Sequence, residues 1–250
     1  HYAVFLDEPK TKVELTTTNR VGVHRYQFTE PADNFILLDL IHGIYQHPDK
    51  NVWCFVRVEN DTLITGYRQT NGWARTRIVY FAISFSKPIT SYQFRNEKPS
   101  SYNGFWRKFD QEHDFPEAAG EGIKGVFSFG NVSEVSMKVS LSSVSVDGAL
   151  LNLKMECPHW DFDKYVHDAK TNWNERLNVI QAEFTSSEEK INFYTSMYHA
   201  MLGPTLYMDI NGEYRGLDQR IHQADGFVNY TTFSLWDTYR AQHPLDRKSV

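Results

Sequence analysis

Glu134-Val-Ser-Met-Lys-Val-Ser-Leu141 and Phe162-Asp-Lys-Tyr-Val-His-Asp-Ala-Lys-Thr-Asn-Trp-Asn-Glu-Arg-Leu177 obey two different periods, and the change between them sets the fold. In the first run, Val135, Met137, Val139 and Leu141 occupy every second position, which makes one face of a strand apolar. In the second, Phe162, Val166, Ala169, Trp173, Leu177 and Ile180 recur at spacings of three and four, which predicts one long amphipathic helix over 162–181. Cys157-Pro158 lies between them. The reading is therefore mixed β then α, in two domains: a β-sandwich over 1–157 and a helical part over 158–250.

Upstream of the switch the chain reads as strands. Tyr2–Leu6, Lys12–Leu15 and Val21–Phe28 have strand composition, and Ile78–Phe85 is apolar enough to be buried on both faces. Leu151, Leu153 and Met155 continue the alternation, so Asp147-Gly148 reads as a hairpin turn between two strands. Glu97–Gly122, rich in Pro, Gly, Ser and acidic residues, reads as a surface loop with an edge strand. Several strands separated by turn signals point to a sandwich. Downstream, Ser186-x-x-Glu189 is a capping-box signal. Ile191, Tyr194, Tyr198 and Met201 form the buried stripe expected of the helix it opens, which Gly203-Pro204 stops. Leu206–Arg215 reads as a hairpin turning on Asn211-Gly212, and a third helix begins near Ser234.

Composition narrows the function. The chain has 250 residues, 41% hydrophobic and 15% aromatic, enough for a sizeable core in one or two domains. A net charge of −5 without long runs of one sign excludes a basic nucleic-acid footprint. Phe35-Ile-Leu-Leu38, one of the longest apolar stretches, is far too short to span a bilayer. Cys54 and Cys157 lack metal-ligand spacing and read as two buried free thiols, with a single disulfide as the alternative. N-x-S/T sequons stand at Asn60, Asn131 and Asn229. No signal-peptide pattern is read within these residues, which open directly on a strand.

The chemistry-bearing window is Tyr230-Thr-Thr-Phe-Ser-Leu-Trp-Asp-Thr-Tyr-Arg-Ala-Gln-His-Pro-Leu245. An indole stacks on the apolar face of a sugar, and Asp and Arg bind its hydroxyls in pairs. The plainer alternative is a helix start capped by Thr231 or Thr232, with Asp237 a surface charge. Tyr214, Arg215 and Asp218 form a second cluster, where Arg215 and Asp218 either pair with each other or line a pocket mouth. Arg240 either binds substrate or pairs with a carboxylate on its own helix, and His243-Pro244 ends that helix or shapes its exit. His199 reads as a satisfied core residue, and the role of His222 is open. Asp218 and Asp225, taken singly, read as structural loop carboxylates. Asp209-Ile-Asn-Gly212 has the opening of a calcium loop but lacks its further oxygen donors, so a simple turn is the better reading.

Ser234–Leu245 resembles the signature of glycoside hydrolase family 92, the calcium-dependent exo-acting α-mannosidases. Gly66–Ala74, Val79–Pro88, Ser142–Ala149, Trp160–Asp163, Phe193–His199 and Asn211–Asp218 resemble the same family in the same order. The resemblance implies a β-sandwich followed by the first helices of an (α/α)6 toroid, with the active site between them, and an internal fragment of a longer protein. Asp246–Val250 departs from the family's usual continuation. It also implies an inverting mechanism whose catalytic acid and base lie beyond these residues. Trp236 and Asp237 are implied to hold the terminal mannose. Trp73, after an Asn-Gly turn, either stacks on sugar or anchors between strands. Calcium touching O2 and O3 of the sugar is implied, with ligands mainly outside this chain. A mannose-containing glycan as substrate and a secreted, periplasmic or cell-surface location follow from the same resemblance. A carbohydrate-binding module without catalysis and a purely structural sandwich are the competing readings.

Overall fold

The structure, a computed structural model, describes residues 1–30, 32–43, 50–72, 74, 76–98, 115–240 and 242–245. The strands are β1 (Tyr2–Leu6), β2 (Thr11–Thr17), β3 (Val21–Phe28), β4 (Phe35–Asp39), β5 (Asn51–Asn60), β6 (Leu63–Thr70), β7 (Arg77–Phe85), β8 (Ser91–Asn96), β9 (Glu117–Gly120), β10 (Ile123–Ser128) and β11 (Glu134–Ser142). Helices α1 (Val146–Glu156), α2 (Phe162–Leu177) and α3 (Ser187–Ala200) follow. A hairpin of β12 (Glu213–Arg215) and β13 (Ile221–Gln223) comes next, and the short helices α4 (Leu235–Thr238) and α5 (Gln242–Leu245) close the described chain.

Two antiparallel sheets form the sandwich. The larger runs β1-β2-β3-β11-β7-β6-β5-β9 and the smaller β4-β10-β8. Strand β10 alternates cleanly: Ile123, Gly125 and Phe127 point into the core. Phe127 is fully buried, against the rings of Phe85, Tyr92 and Phe94. Val56, Ile64 and Val135 of the large sheet belong to the same buried cluster. Strand β9 on the large sheet's edge is the edge strand expected within 97–122, where residues 99–114 lie outside the described ones. Cys54 and Cys157 are both buried and free, so the two-thiol reading holds.

The strand after Asp147-Gly148 does not exist. Residues Val146–Glu156 form α1, because Ser145 caps it by accepting the Gly148 N–H at 3.0 Å, and Asp147 suits the positive end of the helix. Spacing by two in Leu151, Leu153 and Met155 fitted a strand equally well, but Met155 is 57% exposed. Helix α1 packs against β11, and Ser136, Lys138, Ser140 and Ser142 are buried as well as Val135 and Met137, while Val139 is half-buried and Leu141 exposed. Lys138 satisfies its ammonium by donating to the Cys157 carbonyl at 2.8 Å and by lying 3.8 Å from the Trp160 ring centre. Burial holds its pKa below the usual lysine value.

Helix α2 starts at the N-cap Asp161, whose Oδ1 accepts the Lys164 N–H at 3.0 Å, and ends at Leu177, a turn short of the expected limit. Phe162 and Tyr165 are its buried contacts with the sandwich, beside Val21 and Val23. Its far half turns Trp173 edge-on to Tyr198 of α3. Ser186 does cap α3 through the Glu189 N–H at 3.2 Å, but Glu189 returns the bond one residue earlier, accepting from the N–H and hydroxyl of Thr185. The expected buried stripe of α3 is a correction: Ile191 is 65% exposed and Tyr198 39%, while Met197, one position off that stripe, is its buried residue. His199 is exposed too, not a core histidine.

A pH dependence follows from β3. His24 packs beside Tyr26, 2.8 Å from its hydroxyl, and burial pushes the imidazole pKa down to about 4. The unfolded chain takes up that proton near pH 6.5. Below that pH the unfolded state binds more protons, so stability falls between roughly pH 6.5 and 4. Comparing wild type with His24→Gln by thermal unfolding across that window should show the loss in wild type and its removal in the variant.

Candidate functional site

The window that carries Trp236 is built by backbone ties. Leu206 bridges to Tyr230, and Thr231 N–H donates to the Thr205 carbonyl at 2.8 Å. Gln242 Nε2 donates to the carbonyls of Ala200 and Gly203, both at 2.9 Å, and so fastens the segment to the end of α3. Between these anchors Ser234, not Thr231 or Thr232, is the N-cap of α4, and it makes no side-chain cap bond. Thr238 Oγ1 donates to the Ser234 carbonyl at 3.1 Å and lies 2.9 Å from Nε2 of His243, whose ring meets Phe233 edge-on. His243 and Pro244 lie inside α5 and do not end a helix, because α4 has already stopped at Thr238.

Trp236 is 87% exposed. Asp237 is exposed, and among the described residues its carboxylate has no hydrogen-bond or ion-pair partner. Arg240 does not pair with a carboxylate of its own helix. Its Nε donates to the Tyr239 hydroxyl at 3.1 Å, and its guanidinium lies over that ring. A sugar-binding pocket needs walls on several sides. These residues supply one wall.

The second cluster sits on the β12–β13 hairpin. Asn211-Gly212 turns as expected, with Gly212 N–H donating to Asp209 O at 2.9 Å and Asp209 N–H to Glu213 O at 2.8 Å across the turn, while the strand ladder of β12 is made with β13. Arg215 and Asp218 do not pair with each other. Arg215 Nε and Nη2 donate to the Ser143 and Val144 carbonyls at 2.8 and 3.3 Å, and Nη1 to Gln219 O at 2.9 Å. Asp218 takes the Arg220 N–H at 3.0 Å, and His222 Nε2 lies 3.0 and 3.1 Å from its two oxygens. The His222 bond, with the Arg220 N–H, holds the Asp218 carboxyl below the usual range. Tyr214 leans on His222, with ring centres 5.6 Å apart. A Cβ at 216 would fall 2.7 Å from Asp218 Oδ1 and from the His222 ring, so a larger residue there would displace both side chains. Among the described residues, no hydrogen bond, ion pair or ring contact joins this hairpin to Trp236 or Asp237. Trp73 lies outside the described residues. Asp225 is exposed.

Sequence reasoning missed the junction between sandwich and helices. Asp209 is 2% exposed, and it is held by Ser142 Oγ at 2.6 Å and Asn152 Nδ2 at 2.9 Å. Burial raises its pKa above the usual carboxylate value. Arg20 joins Glu156 by a short ion pair and donates to Met208 O at 2.7 Å. Local pattern carries no signal for these ties, because the partners are far apart in the chain. The calcium fit is poor: among the described residues no three or more His, Cys, Asp or Glu converge to hold a metal, and both Asp209 oxygens are already engaged.

Residues 1–142 match the glycosyl hydrolase family 92 N-terminal domain and residues 148–247 the family 92 catalytic domain. A family 92 α-mannosidase from Bacteroides thetaiotaomicron superposes with a TM-score of 0.84 at 38% identity, over 98% of this chain and 32% of its own. An inverting family 92 mannosidase of the same organism gives 0.82 at 23% identity, over 98% of this chain and 31% of its own, and shows the fold alone. An uncharacterized secreted glycosidase of Arthroderma benhamiae is 29% identical over 128 residues, half of this chain and 16% of that protein. The chain thus spans about a third of the solved structures it matches and less of the fungal relative. With a β-sandwich leading into helices and both family domains matched in order, the chain belongs to glycosyl hydrolase family 92.

Proposed function

We propose that this chain is part of an exo-acting α-mannosidase that removes terminal α-linked mannose from glycans outside the cytoplasm. The observation that carries the reading is the free Asp237 carboxylate beside the open Trp236 ring, on a segment anchored at both ends. The likeness at 37% identity to an α-mannosidase solved with mannoimidazole supports mannose as the sugar.

Hydrolysis with inversion needs a general acid and a general base about 6.5–9.5 Å apart, with water between them. Neither role is assigned to a residue of this chain. Its own residues bind and orient. The Trp236 indole takes the apolar face of the ring, and Asp237 accepts hydrogen bonds from two neighbouring hydroxyls. An epimer that turns one hydroxyl away leaves the carboxylate short of a donor, at a cost of about 1–3 kcal/mol. Arg240 keeps both Nη groups for sugar oxygens. Tyr214, Asp218 and His222 stand at the pocket mouth, and Arg215 serves them by fixing the hairpin.

Calcium is part of the proposal through the family, and when bound it would supply positive charge to the sugar's hydroxyl oxygens. No step here runs through it, and no described residue is assigned to hold it.

The full-length protein should hydrolyse α-mannobiose with calcium present and lose activity in excess chelator, and NMR should show β-mannose as the first product. Absence of turnover with every α-mannoside linkage would sink the reading, and calorimetric binding of mannose without turnover would favour a binding module instead.

A further inference from the structure

Among the described residues, Asp209 is a carboxylate buried without any part in the reading above. It sits on the turn that leads into β12, and its side-chain partners come from elsewhere. Ser142 at the end of β11 donates to Oδ2 at 2.6 Å, and Asn152 of α1 donates to Oδ1 at 2.9 Å. Asn152, itself fully buried, returns the tie by accepting the Ile210 N–H at 2.9 Å, and its amide also reaches Leu141 O at 3.1 Å. A Cβ at Gly148 would come within 2.1 Å of Oδ2, so the helix leaves that space to the carboxylate. Arg20 and Arg215 hold the backbone on either side, at Met208 O and at Ser143 and Val144 O.

A buried carboxylate is a poor source of stability, since a packed apolar group often does as well, but it admits few arrangements of its donors. What it fixes here is the placement of the β12–β13 hairpin on the sandwich. We propose that Asp209 is a positioning residue: its buried bonds to Ser142 and Asn152 set where Asp218 and His222 meet the substrate. The substrate half of this statement rests on the mannosidase reading; the hairpin half does not.

The test uses the full-length protein with Asp209→Ala, Asp209→Asn, Asp218→Asn and the double variant Asp209→Ala/Asp218→Asn. Asp209→Ala should raise KM for α-mannobiose about tenfold with kcat within threefold, since the proposal gives Asp218 a part in binding and none in proton transfer. Asp209→Asn keeps an oxygen for Asn152 but leaves the Ser142 hydroxyl without its acceptor, so its KM should fall between the two. It also serves if the alanine variant does not fold. The double variant should be no worse than Asp209→Ala alone, because Asp218 is already misplaced. Hydrogen exchange should show residues 213–223 losing protection at least tenfold in Asp209→Ala while β5–β7 keep theirs. Additive effects, an unchanged KM, or unchanged protection of the hairpin would overturn the proposal. An inactive wild type together with lost hairpin protection would overturn the substrate half and leave the hairpin placement standing.

Discussion

Asp237→Ala in the full-length protein should lower kcat/KM on α-mannosides by roughly a hundredfold to ten-thousandfold while leaving the melting temperature almost unchanged. The two halves have separate causes. Hydrogen bonds to a charged group are worth about 1.5–3 kcal/mol each, and two sugar hydroxyls on one carboxylate give about 3–6 kcal/mol, which converts to that range. The carboxylate has no partner among the described residues and is exposed, so the fold loses nothing with it. Trp236, 87% exposed, behaves alike on stability, and its alanine variant should lose sugar stacking. Steady-state kinetics beside differential scanning fluorimetry reads both. Kinetics like those of wild type for Asp237→Ala would remove it from the site, and a large drop in melting temperature would make it structural.

The second large effect belongs to the sandwich. Phe127→Ala should cost about 3–5 kcal/mol of stability, the range for deleting a buried aromatic ring from a close-packed core. Phe127 is fully buried and touches the rings of Phe85, Tyr92 and Phe94, which belong to both sheets. The space is also closed from beside it, since a Cβ on Gly125 would lie 3.0 Å from Phe127 and 3.1 Å from Phe94. Those neighbours cannot collapse into the void without opening the contact between sheets. Urea unfolding followed by tryptophan fluorescence measures the loss. A change under about 1 kcal/mol would mean the core relaxes around the cavity, contrary to the packing described.

Much of the fold was legible where one physical period acts alone. Strands β2, β3, β7 and β11 follow from alternation and β-branched composition, and α2 from spacings of three and four. The Ser186 cap and the Asn211-Gly212 turn were legible because both are short-range hydrogen-bond chemistry. Helix α1 was not. Its apolar residues suit either period, and Ser145 decides it together with Asn152, whose bonds to Asp209 span 57 positions. The exposed stripe of α3 failed for the opposite reason: the period was right, but a period states which face is apolar and not what covers it.

The candidate site divides in the same way. The family was readable from the order of residues alone, since its motifs recur in the same order along the chain. Arg215 and Asp218 looked like a pair because they are three apart, yet Arg215 reaches back 72 positions to Ser143 O and Asp218 takes His222. Local sequence determined the strands, the long helix and the turns, because these depend on neighbours within a few bonds. Only the tertiary structure decided that the polar face of β11 is buried, that Asp209 bolts hairpin to sandwich, and which arginine is spent on carbonyls. Each of those depends on a donor and an acceptor meeting after the chain has closed a long loop, and no short window of residues contains both.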